Sequence, residues 1–249
     1  MRDAPSTGGW PSGSGQFTTT HWSVVVAARD APSTQSALAL EQLCRIYWYP
    51  LYAFIRRRGF DAHDAQDLTQ EFFYRLLDRN YLSAVDYRKG KFRSFLLAAL
   101  EHFLANEWRR SKTQKRGGRV TFVSINDDTA ENRFIQAPSS SAAPEKAYEQ
   151  AWAMSLLEQV LNRLRAEATD AGKLDAFEQL KGFLTGDKQP VTYAELARQM
   201  NTTEAALKMS VSRMRARYGE LLRDEIAQTV TTQDEIEDEL RALFAALSG

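Results

Sequence analysis

The side chains best able to do chemistry in this chain are cations, and they are unevenly placed. Residues 88–119 carry ten basic groups, Arg88, Lys89, Lys91, Arg93, Arg109, Arg110, Lys112, Lys115, Arg116 and Arg119, against the two acids Glu101 and Glu107, a net of +8. The whole chain is neutral, with 32 basic and 32 acidic residues, so this excess is local. Clustered cations track phosphates, and the aromatics among them, Phe92 and Trp108, offer faces on which unpaired bases can stack. The same cluster also reads as a solvated helix end running into a basic linker.

A second constellation lies in residues 191–218, VTYAELARQMNTTEAALKMSVSRMRARY. Thr192 followed three residues later by Glu195 is a capping-box pattern, Asn201 tolerates the left-handed backbone of a tight turn, and Thr203 caps a second helix. In that second helix Ala206, Leu207, Val211 and Met214 form a buried stripe, while Lys208, Ser212, Arg213, Arg215 and Arg217 lie opposite. Two short helices with a polar, basic outer face suit the major groove and its phosphates; the alternative is a plain helical hairpin. A third group is acidic. Asp61, Asp64, Asp67, Gln70 and Glu71 share one helix with Leu68 and Phe72. Acids in a first turn complement the helix dipole, which accounts for Asp61 and Asp64 but not for Gln70 or Glu71.

Other chemistry has little support. His21, His63 and His102 are far apart and sit in no metal or triad motif, and there is no glycine-rich phosphate loop, so neither an enzyme nor a cofactor is expected. The single cysteine, Cys44, excludes an intramolecular disulfide and a multi-cysteine metal site. No apolar run approaches the length of a membrane span and the N-terminus lacks a signal-peptide core, so a cytoplasmic protein without a membrane partner is expected.

The elements that must position these groups are all helical. Residues 1–19 are rich in Gly, Ser and Pro and read as a disordered tail. Thr20 can cap a short helix through Trp22, Val25, Val26 and Arg29. Ser36 opens a longer one whose apolar face is Leu38, Leu43, Ile46, Tyr47, Leu51, Phe54 and Ile55. Pro50 is expected to bend or split it, and Gly59 to end it. A helix from Asp61 buries Ala65, Leu68, Phe72, Phe73, Leu76 and Leu77. Another, from Phe92 to Lys112, buries Phe95, Leu96, Ala99, Leu100, Phe103 and Leu104. Residues 117–144 have linker composition, and TFVSI within them is discounted as a strand. Helices resume over 145–168 and 173–185, then the paired helices, then an acidic tail helix.

The order of an acidic–aromatic helix, a basic helix and a C-terminal helix-turn-helix resembles the extracytoplasmic-function (ECF) sigma factors of the sigma-70 family. DAHDAQDLTQEFF (61–73) resembles their region 2.2, FRSFLLAALEHFLANEWRR (92–110) their region 2.3–2.4 helix, and TEAALKMSVSRMRAR (203–217) their region 4.2 recognition helix. The chain departs from the family pattern at Glu101 and His102, where Arg–Asn is common, and at Ser210, which replaces a frequent Arg.

The resemblance implies two helical domains joined by a flexible linker: a tail over 1–19, a region 2 bundle over 20–116, a linker over 117–144, a region 4 helix-turn-helix over 145–223, and an acidic helical extension over 224–249. It implies a factor that binds core RNA polymerase, at the clamp helices of the largest subunit and at the flap, and directs it to promoters. An anti-sigma factor or another regulator is a further partner the family allows. Asp61, Asp64, Asp67, Leu68, Gln70, Glu71 and Phe72 would meet the polymerase. Arg88, Lys89, Lys91, Arg93, His102, Asn106, Arg109, Arg110 and Lys112 would hold the −10 element, and Thr203, Glu204, Lys208, Ser212, Arg213, Arg215 and Arg217 the −35 element. The alternative is a stand-alone helix-turn-helix regulator, which would leave the acidic and basic helices unexplained.

The extension contains seven acids between 224 and 239, with no basic residue among them. Its stripe of Ile236, Leu240, Leu243, Phe244 and Leu247 is expected to dock on the C-terminal domain. A competing expectation is that its acids shield the recognition helix.

Overall fold

The computed structural model describes residues 34–76, 91–113, 127–137, 143–185, 191–230 and 232–248. Among these, nine helices and no strand are found: α1 (Thr34–Arg57), α2 (Ala62–Leu76), α3 (Phe92–Thr113), α4 (Asp127–Gln136), α5 (Pro144–Asp170), α6 (Leu174–Thr185), α7 (Tyr193–Gln199), α8 (Glu204–Ala227) and α9 (Asp234–Ser248). The expected helix at Thr20–Arg29 and the segment TFVSI lie outside the described residues.

The spine is α5. Its buried residues Tyr148, Trp152, Leu156, Val160, Leu164 and Ala168 recur every four positions, so one continuous stripe faces inward along the whole helix. Pro144 opens it, where a missing N–H costs nothing. Its far end closes on Gly172 at φ +65, with Lys173 N–H donating to Ala168 O at 2.7 Å, so the last carbonyls are satisfied by a left-handed glycine turn. Against α5 pack α1, α8, α9 and α6.

Helix α1 does not split at Pro50; it runs unbroken from Thr34 to Arg57 with Pro50 buried. Tertiary packing supplies what the missing hydrogen bond takes away: Ile46, Tyr47, Leu51, Phe54 and Ile55 are all essentially inaccessible. Gly59 ends the connection as expected, at φ +93, with its N–H on Arg56 O at 3.0 Å.

One feature differs from the sequence expectation. The 117–144 stretch contains a helix, α4, which docks on the C-terminal half of α1. Arg56 grips Glu131 through Nε and Nη2 at 3.0 and 2.7 Å, Tyr52 donates its hydroxyl to the same carboxylate, and the Phe134 ring lies under the guanidiniums of Arg56 and Arg57 at 4.7 and 4.6 Å. Its sequence, DDTAENRFIQ, has only Phe134 and Ile135 as large apolar groups, so no hydrophobic period announces it; ion pairs and ring contacts hold it instead.

One hydrophobic cluster runs from Ile46 in α1 through α2, α3 and α5 to Leu243 in α9. Helices on either side of the 117–144 stretch therefore share a core.

Candidate nucleic-acid interface

The helix-turn-helix is built as its sequence implies. Thr192 caps α7: its hydroxyl accepts from Glu195 N at 3.3 Å, while the Glu195 carboxylate accepts from Thr192 N at 2.8 Å and from its hydroxyl at 2.9 Å. Those bonds favour the ionised form and hold the Glu195 carboxyl below its ordinary range. Asn201 sits at φ +50 in the turn, and Thr202 N–H closes on Ala197 O at 2.9 Å. Thr203 caps α8 by accepting from Ala206 N at 3.2 Å. Phe183 of α6 stacks on Tyr193 with ring centroids 4.3 Å apart, fixing α7 against the helix before it.

Leu207, Val211 and Met214 bury the inner face of α8. Glu204, Lys208, Ser212, Arg213 and Arg215 are exposed, as is Thr203. Ala206, expected in the inner stripe, is exposed as well, at an open hollow that it lines with Phe177, Leu180 and Leu207. Lys208 pairs with Glu204 at 2.6 Å and lies 5.7 Å from the Tyr193 ring centroid. Arg213 lines a hollow of about 250 Å³ together with Lys173, Thr202 and Ser210. Arg215 donates to Phe183 O at 2.7 Å.

Arg217 departs from its expected role. Its guanidinium holds Glu167 of α5 in a two-point clamp, at 2.9 and 2.8 Å, and reaches Glu220 at 2.8 Å. Late in α8 the helix has turned that position back toward α5, so Arg217 fastens two helices together.

The cations expected at the −10 element divide more sharply. Arg88 and Lys89 lie outside the described residues, as do the side chains of Arg110 and Lys112. His102, Asn106 and Arg109 are exposed on α3, with Arg109 donating to Asn106 Oδ1 at 3.3 Å. Trp108 is exposed beside them.

Arg93 is only 8% exposed. Its Nε and Nη2 donate to Glu239 of α9 at 2.8 and 3.3 Å, its Nη1 pairs with Glu149 of α5, and its guanidinium covers the Trp152 ring at 4.6 Å. Lys91 pairs with the same Glu239 at 2.6 Å. Tyr148 donates its hydroxyl to Arg93 O, and Phe92 N–H donates to Thr229 O, so the start of α3 is stitched to α5 and to the α8–α9 corner. In this conformation Arg93 is a packing residue, and Lys91 is engaged by an internal carboxylate.

Glu239 was missed by the sequence reading, although its spacing contained the signal: it lies on the same side of α9 as the buried Leu240 and Leu243, and it is itself fully buried. A carboxylate inside an apolar stripe requires a cation. The docking of α9 on α5 and α8 follows the expectation for its stripe through Leu240 and Leu243, but Phe244 and Leu247 remain exposed. The competing expectation, that its acids shield the recognition helix, is not met. Glu237, Asp238 and Glu239 pair with Arg223, Arg241 and the Arg93–Lys91 pair, not with Lys208 or Arg213.

On α2, Asp61 caps the helix by accepting from Asp64 N at 2.8 Å. Asp61, Asp64 and Asp67 are exposed, and Leu68, Gln70 and Glu71 partly so. Asp67 lies 3.3 Å from His63, and Glu71 holds Arg75, which also reaches Glu107 of α3 at 2.7 Å. Phe72 is only 1% exposed, with its ring centroid 5.7 Å from that of Phe103, so it belongs to the core and offers nothing to a partner. Its place in the motif reflects an inward-facing helix position.

No described helix is long and apolar enough to cross a membrane. Neither the curated proteins nor the solved structures contain a match to the chain. The sequence model of the ECF sigma factor family matches residues 35–227, a span from α1 to the end of α8 that takes in the acidic helix, the basic helix and the helix-turn-helix. The chain belongs to the ECF sigma factor family, and its role is that of a sigma factor in transcription initiation.

Proposed function

We propose that this sigma factor binds core RNA polymerase through the exposed acids of α2 and reads promoter DNA with two surfaces: α3 with the segment before it at the −10 element, and α8 at the −35 element. The observation that carries the reading is the outer face of α8. A helix set on a capped turn, with its apolar stripe buried and Lys208, Ser212, Arg213 and Arg215 facing outward, has the form of a major-groove reader. The exposed Asp61, Asp64 and Asp67 support the polymerase contact. Acids of that kind steer encounter and fix register against a basic partner.

In this reading residues 117–144 connect a region 2 unit to a region 4 unit, and the protein acts in the cytoplasm. Its partners are core polymerase, through the clamp helices of the largest subunit and the flap, and promoter DNA. Holding −10 and −35 elements at once requires α3 and α8 to address separate stretches of one duplex.

The test is DNA binding with and without core polymerase. A labelled genomic promoter library should be retained by the chain together with core enzyme, at defined upstream elements, and poorly by the chain alone. Equally tight, specific retention by the chain alone would make it a stand-alone regulator.

A further inference from the structure

The outer face of α8 has a centre and two margins, and they differ in chemistry. Opposite the buried Leu207, Val211 and Met214, the middle of the exposed side is occupied by Ala205, Met209, Ser212 and Ala216, spaced four, three and four residues apart. Two of these are alanines, one is a serine, and Met209 stands 56% exposed, a large apolar side chain at the point farthest from the core.

The cations flank this strip. Lys208 and Arg215 lie along one side. Arg213 lies along the other, where it shares a hollow with Thr202 and with Lys173, the residue just before α6. Arg217 is held by Glu167 and Glu220 and takes no part.

A helix lying in a major groove turns the centre of its exposed face to the base edges and its margins to the two phosphate walls. Small side chains at the centre allow a close approach of the backbone. An alanine or methionine there has nothing to offer a hydrogen-bonding base edge, and gains only from the one apolar group in the groove, the thymine 5-methyl. We infer that α8 reads its duplex chiefly by apolar contact of Met209, supported by Ala205 and Ala216, with thymine methyl groups, while Lys208, Arg213 and Lys173 hold phosphates and position the helix. Ser212 is the one central residue able to hydrogen-bond a base. The inference rests on the proposal that α8 enters DNA, and it goes further by moving sequence discrimination from the cations to the apolar strip.

The experiment uses the full chain with core RNA polymerase. Duplexes are selected from a library randomised upstream of a fixed promoter segment, and each thymine of the selected element is then replaced by deoxyuridine, which removes only the methyl. At one or more positions the replacement should weaken the complex about fourfold, the worth of burying one methyl-sized group. Met209→Ala should abolish that difference between thymine and uracil. Lys208→Ala and Arg213→Ala should weaken all sequences alike and lower the salt slope by about one each.

A selected element without thymine, or one in which deoxyuridine equals thymine everywhere while the Lys208 and Arg213 variants still weaken binding, overturns the methyl reading and leaves DNA reading by α8 standing. A complex indifferent both to the upstream sequence and to all three substitutions overturns the two together.

Discussion

Replacing Glu239 by Gln tests whether the arrangement of α3, α5 and α9 exists in solution. The carboxylate is fully buried and receives Arg93 Nε at 2.8 Å, Arg93 Nη2 at 3.3 Å and Lys91 Nζ at 2.6 Å. Removing one partner of a buried ion pair costs about 3–5 kcal/mol, because the other charge is left without compensation in a poorly solvated place. Two features reduce that figure here. Arg93 keeps Glu149 and the face of Trp152, and Lys91 retains access to water, with 27% of its side chain exposed. The amide of Gln also keeps one acceptor. The expected loss is about 2–3 kcal/mol, since the buried guanidinium stays partly neutralised. For a chain of this size each kcal/mol moves the melting midpoint by roughly 2–4 °C, so calorimetry should report a drop of roughly 4–12 °C. A Glu239→Gln protein melting within a degree of wild type would refute the buried clasp and the docking of α9 it supports.

Other outcomes follow from the same geometry. Thr203→Ala removes the acceptor for Ala206 N–H and should cost about 1 kcal/mol in chemical denaturation, whereas Thr203→Ser should restore it; equal stability of all three would contradict the cap. Arg217→Met should lower stability and leave the affinity for upstream DNA unchanged, whereas Lys208→Ala should weaken DNA binding to all sequences alike and leave stability nearly unchanged; weakened DNA binding by the Arg217 variant would return Arg217 to the DNA surface. Glu131 has its carboxyl pKa held below the ordinary value, chiefly by the hydrogen bonds from Arg56. Its stabilising effect is therefore present above the unfolded value near 4.3 and lost as pH falls through the folded one, so Glu131→Gln should flatten the acid limb of stability against pH; an unchanged limb would argue against the docking of α4.

Much of this was legible in the sequence because it was local. The Thr192–Glu195 box, the left-handed Asn201, the cap at Thr203 and the glycine stop at Gly59 depend on neighbours a few residues away, and the helix periods of α2, α3 and α5 are set by their own apolar spacing. What was not legible depended on distant partners. Nothing near Arg93 distinguishes a phosphate ligand from the partner of a glutamate 146 residues later in the chain. Phe72 and Arg217 belong to functional-looking motifs, yet a Phe on the inner side of α2 and an Arg one turn beyond the exposed face of α8 are committed by helix rotation to Phe103 and Glu167. Helix α4 has the composition of a linker because ion pairs to Arg56, not an apolar stripe, hold it in place. At α8 the cations stand out in the sequence, whereas the apolar centre is defined only by the burial of Leu207, Val211 and Met214 on the opposite side.

Run-off transcription is the direct test of whether the chain brings core RNA polymerase to promoters. Purified core polymerase, the full chain and genomic fragments should yield transcripts of defined start, absent when either protein is omitted and reduced when Asp67 and Glu71 are both reversed to Lys. Specific DNA binding by the chain accompanied by no start that depends on it would contradict the claim.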